Sequence, residues 1–145
     1  SIGEVTQMFA KLENLKELVK VTYKQGKPAH EDPSVRRKVA QFEMKIAAMK
    51  YNGLRYLTKQ IKGEPLTSET SVNKLHRASL EIEMDDFAVE LTVQAGLQLR
   101  GGDAAVDGGT WSKSALNWPN VVIGGGTPNI QRNIIAERLL GMPKD

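Results

Sequence analysis

Residues 32–63 read DPSVRRKVAQFEMKIAAMKYNGLRYLTKQIKG, and this stretch decides the fold. Its apolar side chains recur every three or four residues, which places them on one face of a helix. They are Val35, Val39, Phe42, Ile46, Met49, Leu54, Leu57 and Ile61. Asp32 suits the N-cap, and Pro33 suits the first helical position, where a missing N–H costs nothing. Gly63 and Pro65 end the pattern, so one long amphipathic helix is predicted between these signals.

Two similar amphipathic patterns flank this helix. The first lies at the N-terminus and is closed by Gly26 and Pro28. Its apolar residues are Ile2, Val5, Met8, Phe9, Leu12, Leu15, Val19 and Tyr23. The other begins at a cap formed by Thr67 or Ser68 and runs to Leu97. Three long helices with short connections predict antiparallel neighbours, and no segment has the alternating period of a strand.

The chain changes character after the third pattern. Residues 101–126 are rich in glycine and contain one weak helical pattern, at 112–116. Thr127-Pro128 then repeats the combination of a cap and a proline, and a fourth apolar stripe follows until Gly141. This stripe consists of Ile130, Ile134, Leu139 and Leu140. The sequence therefore predicts a single all-α domain over residues 1–145, folded as an up-and-down four-helix bundle.

Composition limits the classes of function. The 145 residues carry a net charge of +3 with acids and bases mixed along the chain, which favours a solvated surface over a nucleic-acid interface. The absence of cysteine excludes disulfides, thiolate metal sites and cysteine nucleophiles, and it fits a reducing cytoplasm. No apolar run approaches the ~18 residues of a membrane span. The chain starts at Ser1 already in a helical pattern, so we expect a fragment of a longer protein.

Ordinary catalytic groups are scarce. His30 lies in a predicted loop and His76 in the third helix, and neither has a partner at metal-ligand spacing. We interpret both as surface or hydrogen-bonded histidines. Five carboxylates crowd the third helix: Glu81, Glu83, Asp85, Asp86 and Glu90. Paired carboxylates can hold metals or do acid–base work, but no Glu-x-x-His motif accompanies these, which favours a solvated helix face.

Two glycine runs are candidate binding sites. Gly124-Gly125-Gly126 opens directly into the fourth helix at Thr127, where free N–H groups and closely approaching backbone suit an anion such as phosphate. The run is not a P-loop, since no Gly-Lys-Ser/Thr follows, and a flexible entry to a capped helix is the alternative. Gly101-Gly102 follows Gln98 behind the third helix and can equally be a plain helix stop.

These segments resemble two motifs of the acyl-CoA dehydrogenase family. Residues 125–141, GGTPNIQRNIIAERLLG, are similar to the family's closing motif. Residues 98–102, QLRGG, resemble the family's Gln-x-x-Gly-Gly. The spacing between the motifs is family-like, and the preceding three-helix pattern fits the family's C-terminal bundle. The resemblance therefore covers the whole chain.

The resemblance implies the C-terminal helical domain of a flavoprotein of fatty acid metabolism, without its N-terminal helical and middle β-domains. Such enzymes oxidise acyl-CoA thioesters: a glutamate takes the α-proton, flavin N5 takes the β-hydride, and electrons pass to an electron-transferring flavoprotein. The bundle joins subunits into dimers or tetramers and completes FAD sites between them. By motif, Gln98, Gly101 and Gly102 should meet the ADP part of a neighbouring subunit's FAD, and Thr127, Pro128 and Asn129 should line the FAD of their own subunit.

The chain departs from the family pattern at functional positions. Many relatives carry the catalytic glutamate directly before the Gly-Thr of the closing motif, where this chain has Gly125, and glycine cannot be a base. Some relatives place the glutamate in a stretch ending Glu-Arg, which would lie upstream of Ser1. The family's Arg-x-x-Phe-Gly after the first helix is replaced by residues 22–26, TYKQG. Lys24 or Lys27 can supply the positive charge there, but not the planar fork of arginine.

Three functions remain open on the sequence alone. The first is an active acyl-CoA dehydrogenase whose base lies upstream of Ser1. The second is the base-lacking subunit of a mixed dehydrogenase, which supplies FAD contacts and an interface to a catalytic partner. The third is a stand-alone helical interaction domain that shares only ancestry with the family. In each case we expect residues 1–145 alone to be inactive, to bind no stoichiometric FAD and to self-associate through exposed apolar faces.

Overall fold

The computed structural model describes residues 2–66, 68–93, 98–99, 102–103 and 105–144, and most of them are helical. The helices are α1 (Ile2–Val21), α2 (Pro33–Ile61), α3 (Thr70–Thr92), α4 (Thr110–Leu116), α5 (Trp118–Ile123) and α6 (Pro128–Ile134). Short 3-10 turns cover Ala29–Glu31 and Val106–Gly109, and a π-helical turn, Ile135–Leu139, continues α6. Two short strands, β1 (Tyr23–Lys24) and β2 (Lys27–Pro28), form an antiparallel hairpin. The predicted all-α fold class is confirmed.

The three long helices pack against one another around one core, and α4 and α6 pack on α3. The buried core side chains are Val5, Met8, Leu12, Leu15 and Leu18 of α1, Phe42, Ile46 and Met49 of α2, Leu80, Met84 and Ala88 of α3, and Trp111 of α4. Phe42 meets Phe87 edge to face, with ring centroids 5.7 Å apart. Each fully buried leucine, isoleucine or phenylalanine contributes about 1.5–3 kcal/mol, so this interface stabilises the bundle.

The predicted start of α2 is confirmed at atomic detail. Asp32 is the N-cap, and its Oδ1 accepts hydrogen bonds from the N–H groups of Ser34 and Val35 at 2.7 and 3.3 Å. Pro33 occupies the first helical position. The hydrogen bond from the Ser34 hydroxyl, followed by that from Lys24, holds the pKa of Asp32 well below its usual value. The cap is therefore ionised at neutral pH, where it complements the helix dipole.

The connection from α1 to α2 corrects two predictions. The first helix ends at Val21 rather than Tyr23, and a strand hairpin follows where no strand was expected. Gln25 and Gly26 both have positive φ, +52° and +77°, which is the backbone of the tight turns that join two strands. Glycine adopts this conformation freely, but Gln25 gives no such signal in the sequence. Tyr23 consequently leaves the apolar stripe and is exposed.

The third helix begins and ends at other residues than predicted. It starts at Thr70 with Glu69 as its N-cap, one residue after the predicted cap at Ser68, and the Glu69 side chain makes no cap hydrogen bond. The alternative cap, Thr67, lies outside the described residues, as does the predicted end at Leu97. The helix stops at Thr92 because Val93 has φ +51° and ψ −130°, which leaves the helical region.

The apolar stripe of α2 is only partly buried. Val35, Phe42, Ile46 and Met49 lie in the interior, whereas Leu54, Leu57 and Ile61 near the helix end are exposed. Ile61 retains 77% of its accessible surface. The spacing of three and four residues correctly predicts one face, but the last turns of that face are exposed in the described part of the chain.

The carboxylate-rich face of α3 is not uniformly solvated, contrary to the prediction. Asp85 is only 2% exposed. Lys11 Nζ lies 2.7 Å from its carboxylate, and the Ser114 hydroxyl donates to Asp85 Oδ2 at 2.7 Å. Burial raises the pKa of Asp85, against the opposing effect of Lys11 and Ser114. Asp85 therefore joins α1, α3 and α4 in the interior, while Asp86 and Glu90 are exposed as expected.

Candidate functional site

The glycine-rich entry to α6 is an ordered turn. Gly125 and Gly126 have φ of +73° and +101°, and the Gly126 N–H donates to the Ile123 carbonyl at 3.1 Å. Thr127 is the N-cap, as predicted: its Oγ1 accepts from the Ile130 N–H at 3.4 Å. Pro128 occupies the first turn, also as predicted. The sequence signals at this helix start therefore describe its local structure correctly.

Gln131 holds this turn from inside the protein. It is 6% exposed, and its Nε2 donates to the Gly125 carbonyl at 2.7 Å. A Cβ added at Gly126 would lie 2.7 Å from Gln131 Nε2, closer than side-chain carbons approach. The positive φ and the close amide together explain why residue 126 is glycine. Gln131 was not singled out by the sequence, because a polar residue inside a helix usually faces solvent.

Lys74 of α3 fixes the other side of the turn. Its Nζ donates to the Val121 carbonyl at 3.0 Å. A Cβ added at Gly125 would lie 3.4 Å from Lys74 Cε, so the lysine chain passes directly beside the position where many relatives carry their base. Burial, with a smaller effect from the nearby Arg77 charge, lowers the pKa of Lys74. A cationic side chain thus borders this position.

The predicted cofactor residues of the closing motif lie on a continuous stretch of surface. Thr127 and Pro128 are half-buried, whereas Gly125 and Asn129 are exposed. The Asn129 Oδ1 accepts from Arg132 Nη1 at 3.2 Å, which keeps the amide at the helix start. This stretch combines an accessible backbone with a fixed conformation, the two properties that binding of a rigid ligand requires.

The second predicted motif packs elsewhere. The Gln98 carbonyl accepts a hydrogen bond from the Ser112 hydroxyl of α4 at 2.9 Å, and the Gly102 N–H donates to the Leu99 carbonyl at 3.1 Å. The Gln98 side chain lies against Gly102 so closely that a Cβ there would clash with it. Gly101 lies outside the described residues.

The two motifs are anchored at different points of the domain. The Gln98 carbonyl is bonded to Ser112 of α4, and α4 contacts α3 where Ser114 meets Asp85. Lys74, which holds the end of α5 just before the glycine turn, precedes Asp85 along α3 by about 16 Å at ~1.5 Å per residue.

The lysines considered as substitutes for the family's arginine have separate roles. Lys24 donates to the Ser34 hydroxyl at 3.1 Å and pairs with Asp32 at 3.1 Å, so its charge supports the cap of α2. Lys27 is exposed on β2.

The histidines take no part in a metal cluster, since no group of three or more potential ligands occurs among the described residues. His30 is exposed, and burial lowers the pKa of His76, which favours its neutral form.

Comparison with known proteins identifies the family. The sequence model of the protein family described as acyl-CoA dehydrogenase, C-terminal domain, matches residues 1–140 of this chain. The chain belongs to the acyl-CoA dehydrogenase family. Acyl-CoA dehydrogenase IpdE1 of Mycolicibacterium smegmatis is 30% identical over all 145 residues, which span 33% of that relative's length. The chain thus spans about a third of the length of this relative.

Solved structures share the fold. The ChsE4–ChsE5 complex from Mycobacterium tuberculosis matches with a TM-score of 0.80 and 22% identity, over 95% of this chain and 35% of that one. The FAD complex of PigA matches with a TM-score of 0.75 and 22% identity, over 96% of this chain and 34% of that one. No helix in the described part of this acyl-CoA dehydrogenase domain has the length and apolarity needed to cross a membrane.

Proposed function

We propose that this chain is the domain of an FAD-dependent acyl-CoA dehydrogenase that contacts the flavin and joins subunits. The parent enzyme removes the α-proton and β-hydride of an acyl-CoA thioester. The observation that carries the proposal is the turn at 124–129. It is partly exposed, yet Gln131 holds it through the Gly125 carbonyl, and Lys74 holds the preceding helix α5 through the Val121 carbonyl. A cofactor bound to such a preorganised turn loses little affinity to ordering of the protein.

The residues of the turn fit the FAD expected from the family. Thr127, Pro128 and Asn129 are all at least partly exposed, and Thr127 and Asn129 offer small polar side chains to a ligand of their own subunit. We propose that Gln98, Gly101 and Gly102 contact the FAD of a neighbouring subunit. Within the described part of this motif, the Gln98 carbonyl is anchored to α4 by the Ser112 hydroxyl. The flavin would supply the hydride acceptor, and the described residues would position it.

Subunit association is supported by exposed apolar side chains at the end of α2. Tyr51, Leu54, Leu57 and Ile61 lie on the last turns of this helix and are all exposed. A soluble monomer seldom leaves such a continuous apolar face uncovered. We propose that this surface, defined by these four residues, is covered by another subunit in a dimer or tetramer. Electron-transferring flavoprotein is the proposed electron acceptor, and the cytoplasm the proposed location.

The position of the base distinguishes two versions of the function. In the first version the parent is a working dehydrogenase whose glutamate lies upstream of Ser1. In the second version this chain belongs to a non-catalytic subunit that completes FAD sites and the interface of a catalytic partner. Both versions agree with one observation: Gly125 offers no base, and Lys74 lies beside it. ChsE4–ChsE5, which shares the fold, is itself a complex of two differently named chains.

Anaerobic titration of the full-length protein with acyl-CoA thioesters tests the proposal through the visible absorbance of the flavin. Bleaching by thioesters of one chain class is the result expected of a working dehydrogenase. A bound flavin that stays oxidised with every thioester, but bleaches once a catalytic partner is added, supports the second version. A purified protein without flavin, alone or with a partner, refutes both versions.

A further inference from the structure

A polar cleft of about 500 Å³ lies beside the glycine turn. Glu4 of α1 and Asn73, Lys74 and Arg77 of α3 line it together with Gly125. The cleft therefore opens next to the position where many relatives carry their base. Its size is sufficient for several non-hydrogen atoms of a ligand.

Two buried polar atoms in this cleft have no hydrogen-bond partner. Asn73 is 6% exposed, and its Nδ2 donates to the Met49 carbonyl at 3.3 Å, which orients the amide and leaves Oδ1 unpaired. Arg77 Nε is likewise buried without a hydrogen bond, since Glu4 Oε1 lies 3.7 Å away. Buried polar groups in proteins are nearly always paired. The wall of the cleft thus contains one unpaired acceptor and one unpaired donor, which is unusual for a purely structural region.

Lys74 is the group of the cleft best placed to bind an anion. Arg77, the second cation of the lining, already lies between two carboxylates, Glu4 at 3.7 Å and Glu81 at 3.8 Å. Lys74 donates one hydrogen bond, to the Val121 carbonyl. Since an ammonium group has three N–H donors, two remain for a ligand. Burial and the Arg77 charge lower the pKa of Lys74, a cost that a bound anion would relieve.

We propose that this cleft binds a carboxylate carried by the acyl group of the substrate, so that the preferred thioesters are those of dicarboxylic acids. Lys74 Nζ donates to the carboxylate with its remaining N–H groups, and the guanidinium charge of Arg77 supports the binding. This inference rests on the proposed function, which brings the thioester to Gly125.

The test compares adipoyl-CoA with hexanoyl-CoA, which differ only in the terminal carboxylate. Dissociation constants are measured by isothermal titration calorimetry on the full-length protein, with its partner subunit if it has one. Charge-assisted hydrogen bonds of this kind predict that adipoyl-CoA binds more tightly by about tenfold or more. In the Lys74→Met variant and in the Arg77→Met variant, the ratio of the dissociation constant of hexanoyl-CoA to that of adipoyl-CoA should fall to about twofold or less. The control Lys113→Met, on the exposed face of α4, should keep the wild-type ratio.

The ratio of the two dissociation constants distinguishes loss of carboxylate recognition from a general loss of thioester binding in a destabilised variant. A general loss affects both thioesters equally, because both contain the same CoA moiety. Equal affinity of the wild-type protein for both thioesters overturns the inference and leaves the proposed function intact. A preference for adipoyl-CoA that survives in both variants also overturns it, because the carboxylate then binds elsewhere. Failure of both thioesters to bind overturns it too, and the flavin content of the same preparation shows whether the proposed function fails with it.

Discussion

Replacing Gly126 by alanine should destabilise the glycine turn and weaken FAD retention. A residue with a Cβ at φ +101° pays a steric cost of roughly 1–2 kcal/mol, by analogy with the left-handed region. The new Cβ would also lie 2.7 Å from Gln131 Nε2 and displace the amide from the Gly125 carbonyl. Loss of that hydrogen bond costs about 0.5–1.5 kcal/mol. The total of about 1.5–3.5 kcal/mol corresponds to roughly 10- to 300-fold weaker retention if it falls entirely on the FAD-competent turn.

The assay measures two properties of the full-length protein: the urea midpoint of unfolding and the flavin absorbance that remains after gel filtration. Gly53→Ala is the matched control, because Gly53 lies inside α2 and a Cβ there meets nothing within 4 Å. The control should be neutral or more stable by about 0.5–1 kcal/mol. A Gly126→Ala protein with the wild-type midpoint would refute the packing argument. A destabilised protein that retains all its flavin would refute the role of the turn in cofactor binding.

Three further predictions concern the turn, the α2 cap and the exposed end of α2. Gln131→Met removes the donor to the Gly125 carbonyl at similar volume and should lower the free energy of unfolding by about 0.5–1.5 kcal/mol in urea titrations; an unchanged midpoint would contradict this. Asp32→Ala should unfold at lower urea at pH 7, whereas Asp32→Asn should keep most of the cap. Because the pKa of Asp32 is lowered, its stabilisation is present above the unfolded value of 3.8 and lost as the pH falls through the folded pKa, so the wild-type advantage should shrink in acid. Combined substitution of Leu57 and Ile61 by serine should weaken subunit association in sedimentation experiments while changing folding stability by less than about 1 kcal/mol; unchanged association would exclude this surface from the interface.

The parts of the fold that the sequence predicts are those governed by local chemistry. Asp32 and Thr127 cap their helices because a short acceptor side chain precedes a proline and free N–H groups. The apolar spacing of α1 and α2 likewise identifies the faces that meet in the core. Neither prediction requires knowledge of a distant residue.

The parts that escape prediction depend on distant partners or unusual backbone. Asp85 is buried because Lys11 and Ser114, far away in the chain, neutralise and pair with it. Val93 ends α3 with a positive φ that valine rarely adopts, so the sequence carries no stop signal there. At the candidate site, the glycine run indicates a turn. The residues that stabilise this region, Lys74 and Gln131, can be identified only from the packing of α3 and α6 in the folded domain.

Lys74 would affect the pKa of a glutamate placed at position 125, where many relatives carry the base. A glutamate at Gly125 would have to adopt φ +73°, and its Cβ would lie 3.4 Å from Lys74 Cε. Its carboxylate would then be formed close to an ammonium group, which lowers the pKa of a carboxyl. A base for the α-proton instead works best with a pKa raised towards the operating pH. A single substitution at Gly125 would therefore not rebuild the family's base here, and under both versions of the proposed function the α-proton must go to a carboxylate outside the closing segment.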